Sequence, residues 1–275
     1  MKPVYLILAL VLAVAGCSKS HQGTWLGYAE GDDAFVAAPL AGWVTEVKVE
    51  RGAWVNKGDL LFVLDETSQR AARDQAEAAI AQAQGQLGQA KANLDLAQKQ
   101  LARQEGLMRS GATSKQAYDQ AKAAYDAALA QVAQIEASQS QARAALANAA
   151  YQLSQREVSS LAAGRVQDVY FRQGEYVPAM TPVVSLLPPE NVYVRFFVPE
   201  EQFSNIRLGQ QVKVHCDGCP DNLVAAITFI ASQQEFTPPV IFSNQSRSQL
   251  VFKVEARAPG GLKLNPGQPV DVDPL

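Results

Sequence analysis

The chain has 275 residues, a formal net charge of −3, 19% charged residues and 2 histidines. That balance supplies no basic field for nucleic acid or an anionic bilayer surface, and the length suits two compact modules beside any extended element. Past the first residues, no apolar run approaches the roughly 18 residues that a membrane-spanning helix requires.

The chain opens on a targeting segment: Lys2, an apolar core from Val4 to Val14, then Val14-Ala15-Gly16-Cys17. Small residues directly before a cysteine resemble the lipobox of bacterial lipoproteins, which implies cleavage before Cys17 and its diacylation. Two acyl chains anchor stably, since each buried methylene contributes about 0.8 kcal/mol. Residues 1–17 are therefore read as a signal peptide, and the mature chain as periplasmic. Ser18-Lys19-Ser20 follows, with no Asp directly after the cysteine. The enterobacterial sorting rule then points to the outer membrane and the pseudomonad rule to inner-membrane retention; the inner membrane is the favoured expectation.

Residues 18–33 read as a tether and a first barrel strand around Trp25–Ala29, and Ala34 to Glu66 as short strands punctuated by glycines. A second stretch, from Ala163, copies this one. A shift of 122 residues superposes Gly42 on Gly164, Val44 on Val166, Val47 on Val169, Gly52 on Gly174, Val55 on Val177 and Leu64 on Leu186. Alternating valines give each copy one buried face, and a glycine stands where a tight turn needs positive φ. Neither copy is long enough to bury a core alone, so residues 34–66 and 156–190 are expected to pair as one small β-sandwich.

Residues 67–155, between the copies, contain no proline and repeat with a period of seven. One seam runs Ile80, Ala83, Leu87, Ala90, Leu94, Ala97, Leu101; the other runs Tyr118, Ala121, Tyr125, Ala128, Val132, Ile135, Gln139, Ala142, Leu146, Ala149, Leu153. Both are the a/d stripe of a coiled coil. The break at Glu105–Thr113 predicts an antiparallel hairpin, with Thr113 and Gln116 as a capping box for the second helix. With Gly111 as the pivot, paired positions sum to 222 and large faces small: Leu94 meets Ala128, and Ala90 meets Val132.

From 191 to 275, strands at Asn191–Val198, Val212–His215, Leu223–Ile230, Gln249–Ala256 and Gly267–Val272, with a helical turn at Glu200–Ile206, predict a small antiparallel barrel. The fold class is thus α+β: a long helical hairpin inserted in a split sandwich, followed by a barrel.

The Gly-x-Val-x-x-Val…Gly-x-x-Val pattern in two copies around a helical insert resembles the split lipoyl (biotinyl-lipoyl-like) domain of HlyD-type membrane fusion proteins, the periplasmic adaptors of bacterial exporters. Val198-Pro-Glu-Glu-Gln-Phe203, Arg207 to Val214 and Asn265 to Val272 resemble the barrel of the same family, and Gln234-Glu-Phe-Thr-Pro238 is similar to YbhG-type adaptors of ABC exporters. The resemblance implies an inner-membrane transporter and a TolC-like outer-membrane channel as partners, self-association as a hexamer, and no cofactor. An ABC permease is favoured over a proton-driven pump of the resistance-nodulation-division (RND) type, because only Ser18 to about Thr24 precedes the barrel and Leu275 closes the chain after its last strand. A structural envelope lipoprotein is the alternative.

Arg103-x3-Leu107-x6-Ser114-x3-Tyr118-Asp119 resembles the tip motif by which such adaptors contact the channel, with Tyr118 where family members have Leu or Ile. Arginine offers five donors, Leu107 an apolar knob, and Ser114 room for close approach. Carrier chemistry would need a modified lysine between the sandwich halves, and Asp65-Glu66-Thr67 has none. Cys216-Asp-Gly-Cys219 reads as a local disulfide in an oxidising compartment, ahead of a redox site or a metal site. No catalytic triad, phosphate loop or nucleotide motif is present, and no metal ligand set or enzyme activity is assigned.

Overall fold

The computed structural model describes residues 23–220, 222–236 and 250–275. Cys17 lies outside the described residues, as do Thr237 and Pro238. In chain order, β1 (Trp25–Gly31), β2 (Ala34–Ala37), β3 (Gly42–Val47), β4 (Trp54–Val55) and β5 (Leu60–Leu64) lead into the helices α1 (Thr67–Arg109) and α2 (Lys115–Ser154). Then come β6 (Glu157–Ser159), β7 (Gly164–Val169), β8 (Tyr176–Val177) and β9 (Pro182–Leu187). A 3-10 turn at Pro189–Asn191 precedes β10 (Val192–Pro199), the short α3 (Glu200–Phe203), β11 (Gln211–His215), β12 (Leu223–Phe236), β13 (Leu250–Arg257) and β14 (Pro269–Pro274).

Two four-stranded sheets, β2-β9-β7-β4 and β6-β5-β3-β8, form the sandwich. The two copies interleave rather than meet: each sheet takes two strands from each copy. The 122-residue shift carries β3 to β7, β4 to β8 and β5 to β9, and the pairing of β3 with β8 onto that of β7 with β4. Gly52 N donates to Val166 O and Gly174 N to Val44 O, each over 2.8 Å. Both glycines have left-handed φ, +84° and +87°, at the same turn of the two copies. Val44, Val55, Leu64, Val166, Val177 and Leu186 fill the shared core.

One turn breaks the repeat. Gly58 (φ +94°) corresponds to Met180, the one non-glycine among the described residues with positive φ (+61°). Both make the same bond, Gly58 N to Ser160 O at 2.8 Å and Met180 N to Ala38 O at 2.7 Å. Met180 is 78% exposed, so its side chain contributes little packing to offset a left-handed cost of about 1–2 kcal/mol. Met180→Gly is expected to stabilise the sandwich by about 1 kcal/mol, read as a melting point about 2 °C higher.

The barrel closes in the order β1-β10-β13-β12-β11-β14, with β1 contributed from before the sandwich. Trp25 stacks on Phe196 with ring centroids 5.4 Å apart, and its Nε1 donates to Gln202 Oε1 on α3 at 2.6 Å. Strand β12 runs to Phe236, beyond the expected Ile230, because two register shifts against β13 let its polar stretch keep pairing. Gly267 is a turn residue with φ +86°, so the last strand starts at Pro269.

Candidate functional site: the helical hairpin and its tip

From Ile80 to Met108 in α1 and from Ala121 to Leu153 in α2, the only residues that are not exposed fall on an alternating three-four spacing. Small side chains set the approach: Ala83, Ala90 and Ala97 are the buried residues of α1, and Val132 and Gln139 those of α2. Ala90 with Val132, and Ala83 with Gln139, fit the register about Gly111, whose φ is +71°. Gln139 thus occupies a seam position opposite a small residue.

The two broad sides of the hairpin differ. On one, Lys91 Nζ lies 3.5 Å from Glu136 Oε1 across the helices. Heptad placement puts Glu77, Asp95, Asp126 and Arg143 on that side as well. The opposite side holds a groove of about 470 Å³ lined by Gln86, Gln89, Asn93, Gln131, Gln134 and Ser138 beside Ala90 and Ile135. That side carries no charge from Gln75 to Gln100 of α1 or from Gln120 to Gln152 of α2. Toward the tip it continues as Leu96, Gln100, Arg103 and Leu107, spaced to lie in one row.

Helix α1 persists to Arg109, past the expected break at Glu105. Gly106 costs an exposed helix only about 1 kcal/mol, which the continuing backbone bonds outweigh. The reversal needs only Ser110–Ser114. Ala112 N donates to Leu107 O at 2.9 Å and Ser110 Oγ to the same carbonyl at 3.0 Å. The capping box on Thr113 is not formed. Lys115 is the first helical residue, so Ser114 occupies the N-cap, with ψ 151°, and its Oγ accepts from Ala117 N at 3.2 Å. Thr113 Oγ1 donates instead to Gln104 Oε1 at 2.8 Å, tying the turn to α1. Ser114→Ala is expected to cost about 1 kcal/mol, seen as faster amide exchange at Ala117 and Tyr118.

Of the five candidate tip residues, Arg103 and Leu107 lie together on the uncharged side, exposed and one turn apart. Ser114 is engaged as the cap. Tyr118 is half-buried in the seam, and Asp119 is exposed on the charged side. Leu96, 57% exposed in the row of Arg103, escaped the sequence reading, although its heptad position marks it.

Cys216 and Cys219 are bonded across the Asp217–Gly218 turn between β11 and β12, with Cα atoms 5.3 Å apart. Gln268 Nε2 donates to Cys219 Sγ at 3.5 Å, and His215 Nε2 lies 3.3 Å from Asp273 Oδ2 on β14. No helix among the described residues is long and apolar enough to cross a membrane.

Comparison with known proteins finds the family model "RND MFP, alpha-helical hairpin domain" over residues 79–156. A UPF0194 membrane protein of Acidithiobacillus ferridurans is 32% identical over 40% of this chain, a match that spans 33% of that relative. The multidrug export protein EmrA of Haemophilus influenzae is 25% identical over 96% of this chain and 78% of its own. Among solved structures, MacA of Actinobacillus actinomycetemcomitans superposes with a TM-score of 0.69 over 92% of this chain and 78% of that one, at 22% identity.

Proposed function

We propose that this chain, a membrane fusion protein by its hairpin domain and its fold, serves as a periplasmic adaptor joining an inner-membrane exporter to a TolC-like outer-membrane channel. The observation that carries the reading is the tip. A two-helix arm about 65 Å long ends in a tight turn that leaves Arg103 and Leu107 exposed side by side. A cation with five donors beside an apolar knob suits a rim of carbonyls, carboxylates and shallow apolar grooves.

In this reading Cys17 carries the lipid anchor, the inner membrane holds it, and copies associate as a hexameric ring of barrels, sandwiches and hairpins. The adaptor's work is mechanical and steric. It seals a conduit and passes conformational change, while the exporter supplies the energy. The exporter is an ABC permease, on the likeness of the segment starting at Gln234 to ABC-associated adaptors.

The test is in-cell crosslinking from a photoreactive residue at Leu107, with captured partners identified by mass spectrometry. Capture of an outer-membrane channel is the expected result. Capture of the chain alone, with no permease captured from a barrel-placed probe, overturns the adaptor reading in favour of an envelope lipoprotein. Co-purification with an RND pump rather than an ABC permease overturns the pump class alone.

A further inference from the structure

The sandwich buries its valines and turns large aromatics to solvent. Trp43 is 56% exposed, Trp54 57% and Tyr176 52%, while their neighbours Val44, Val55 and Val177 are at most 3% exposed. Side chains alternate along a strand, so these aromatics point away from the shared core. Trp43 and Tyr176 are direct partners on β3 and β8, with ring centroids 5.3 Å apart. Trp54 and Arg165 are direct partners on β4 and β7. The 122-residue shift carries Trp43 to Arg165 and Trp54 to Tyr176, so the two patches occupy equivalent places on the two sheets. The sheets pack face to face, and the patches therefore look in opposite directions.

At these matched places the repeat keeps its backbone and changes its chemistry. One face bears Arg165 beside Trp54. The other bears Trp43 against Tyr176. The charges nearby are matched within each face: Arg51 with Asp168 on the first, at 3.4 Å, and Lys48 with Glu46 on the second. Arg165 enters no ion pair among the described residues. One face therefore offers a cation with no ion pair among the described residues, and the other an aromatic pair.

We infer that these two faces bind each other between copies of this chain, head to tail, with the Arg165 guanidinium of one copy over the Trp43–Tyr176 pair of the next. The inference rests on the ring proposed above and assigns its contact. Arginine over an exposed indole is a favourable cation–π contact, and arginine and aromatics are enriched where protein surfaces meet. Like-to-like docking would instead bring Arg165 against a second Arg165. A patch that meets its complement on the opposite side of the next copy gives a heterologous contact, which closes as a ring when the rotation permits.

The test uses the full-length chain in detergent, with sedimentation velocity to read assembly size and melting to confirm that the exposed substitutions leave the fold intact. Trp43→Glu and Arg165→Glu are each expected to raise the dissociation concentration at least tenfold. A mixture of the two variants retains one good face per copy and is expected to stop at dimers. The exchange Trp43→Arg with Arg165→Trp in one chain is expected to restore the larger assembly. If Trp43→Glu does not fold, Tyr176→Ala replaces it. Wild-type-sized assemblies from both single variants overturn this contact and leave the ring standing; full-sized rings from the mixture overturn the head-to-tail geometry. A wild-type chain that stays monomeric at every concentration, in detergent and in vesicles, overturns the ring and the contact together.

Discussion

Gly261→Ala is expected to destabilise the barrel by about 3 kcal/mol or more, far beyond an ordinary surface change. A Cβ at Gly261 would sit 1.7 Å from Pro189 O and 2.3 Å from its carbonyl carbon, at a φ of +83°. The obstacle is backbone, and it cannot swing aside. Pro189 opens the 3-10 turn that joins the sandwich to the barrel, and the opposite strand of that joint is tied to it: Asn191 Nδ2 donates to Asp32 O at 2.7 Å, and Asp32 N to Asn191 O at 3.2 Å. Arg257 Nη2 holds Asp32 Oδ2 at 2.6 Å and lies over the ring of Tyr193. Burial, then the nearby Glu255 carboxylate, pushes the Tyr193 phenol up to about 12. Gly260 is the built-in control: its φ is +77°, but nothing lies within 4 Å of an added Cβ. Gly260→Ala should cost only the left-handed penalty of about 1–2 kcal/mol. Urea unfolding followed through the fluorescence of Trp25, which is buried in the barrel, separates the two variants; equal costs would refute the steric account.

Ala90→Glu is the second large effect. Ala90 is 4% exposed in the seam, in register with Val132, so a glutamate there forces a carboxylate into or past the packed seam. Burying an unpaired charge typically costs 3–5 kcal/mol. A two-helix arm has no other core to draw on, so the expected outcome is local: most of the far-ultraviolet helical signal is lost while the barrel and sandwich still melt cooperatively. Gln89→Glu, one residue away and exposed, should leave the spectrum unchanged. A helical signal that survives Ala90→Glu would show that the seam has been placed in the wrong register.

The hairpin was legible in the sequence because a coiled coil repeats its environment every seven residues, and each seam residue from Ile80 to Leu101 and from Ala121 to Leu153 is buried or half-buried. The sandwich was legible because its two copies carry the same valines and turn glycines. What the sequence concealed were choices between nearly equal local partners. Thr113 and Ser114 are both competent caps, and the bond from Thr113 to Gln104, nine positions away, decides between them. Gly106 resembles a helix stop, yet the helical backbone bonds run on through it to Arg109. The extension of β12 depends on two bulges answering to β13, which no alternation within β12 reveals. At the tip, Arg103, Leu107, Ser114, Tyr118 and Asp119 read as one cluster along the chain. In space only Arg103 and Leu107 share a side, because the other three lie past the turn with separate positions on or before α2.

Both helices enter the sandwich at neighbouring points, where Leu64 N donates to Arg156 O at 2.8 Å and Arg156 Nη1 to Ala41 O at 2.9 Å. A rigid arm about 65 Å long pivoting at such a narrow base is a lever: a tilt of about 5° there sweeps the tip through roughly 6 Å, about one turn of helix. Side-chain adjustments at Arg156 too small to alter the sandwich core would therefore reach the far end as a displacement large enough to engage or release a contact. Leverage of this kind places control of the tip at its root.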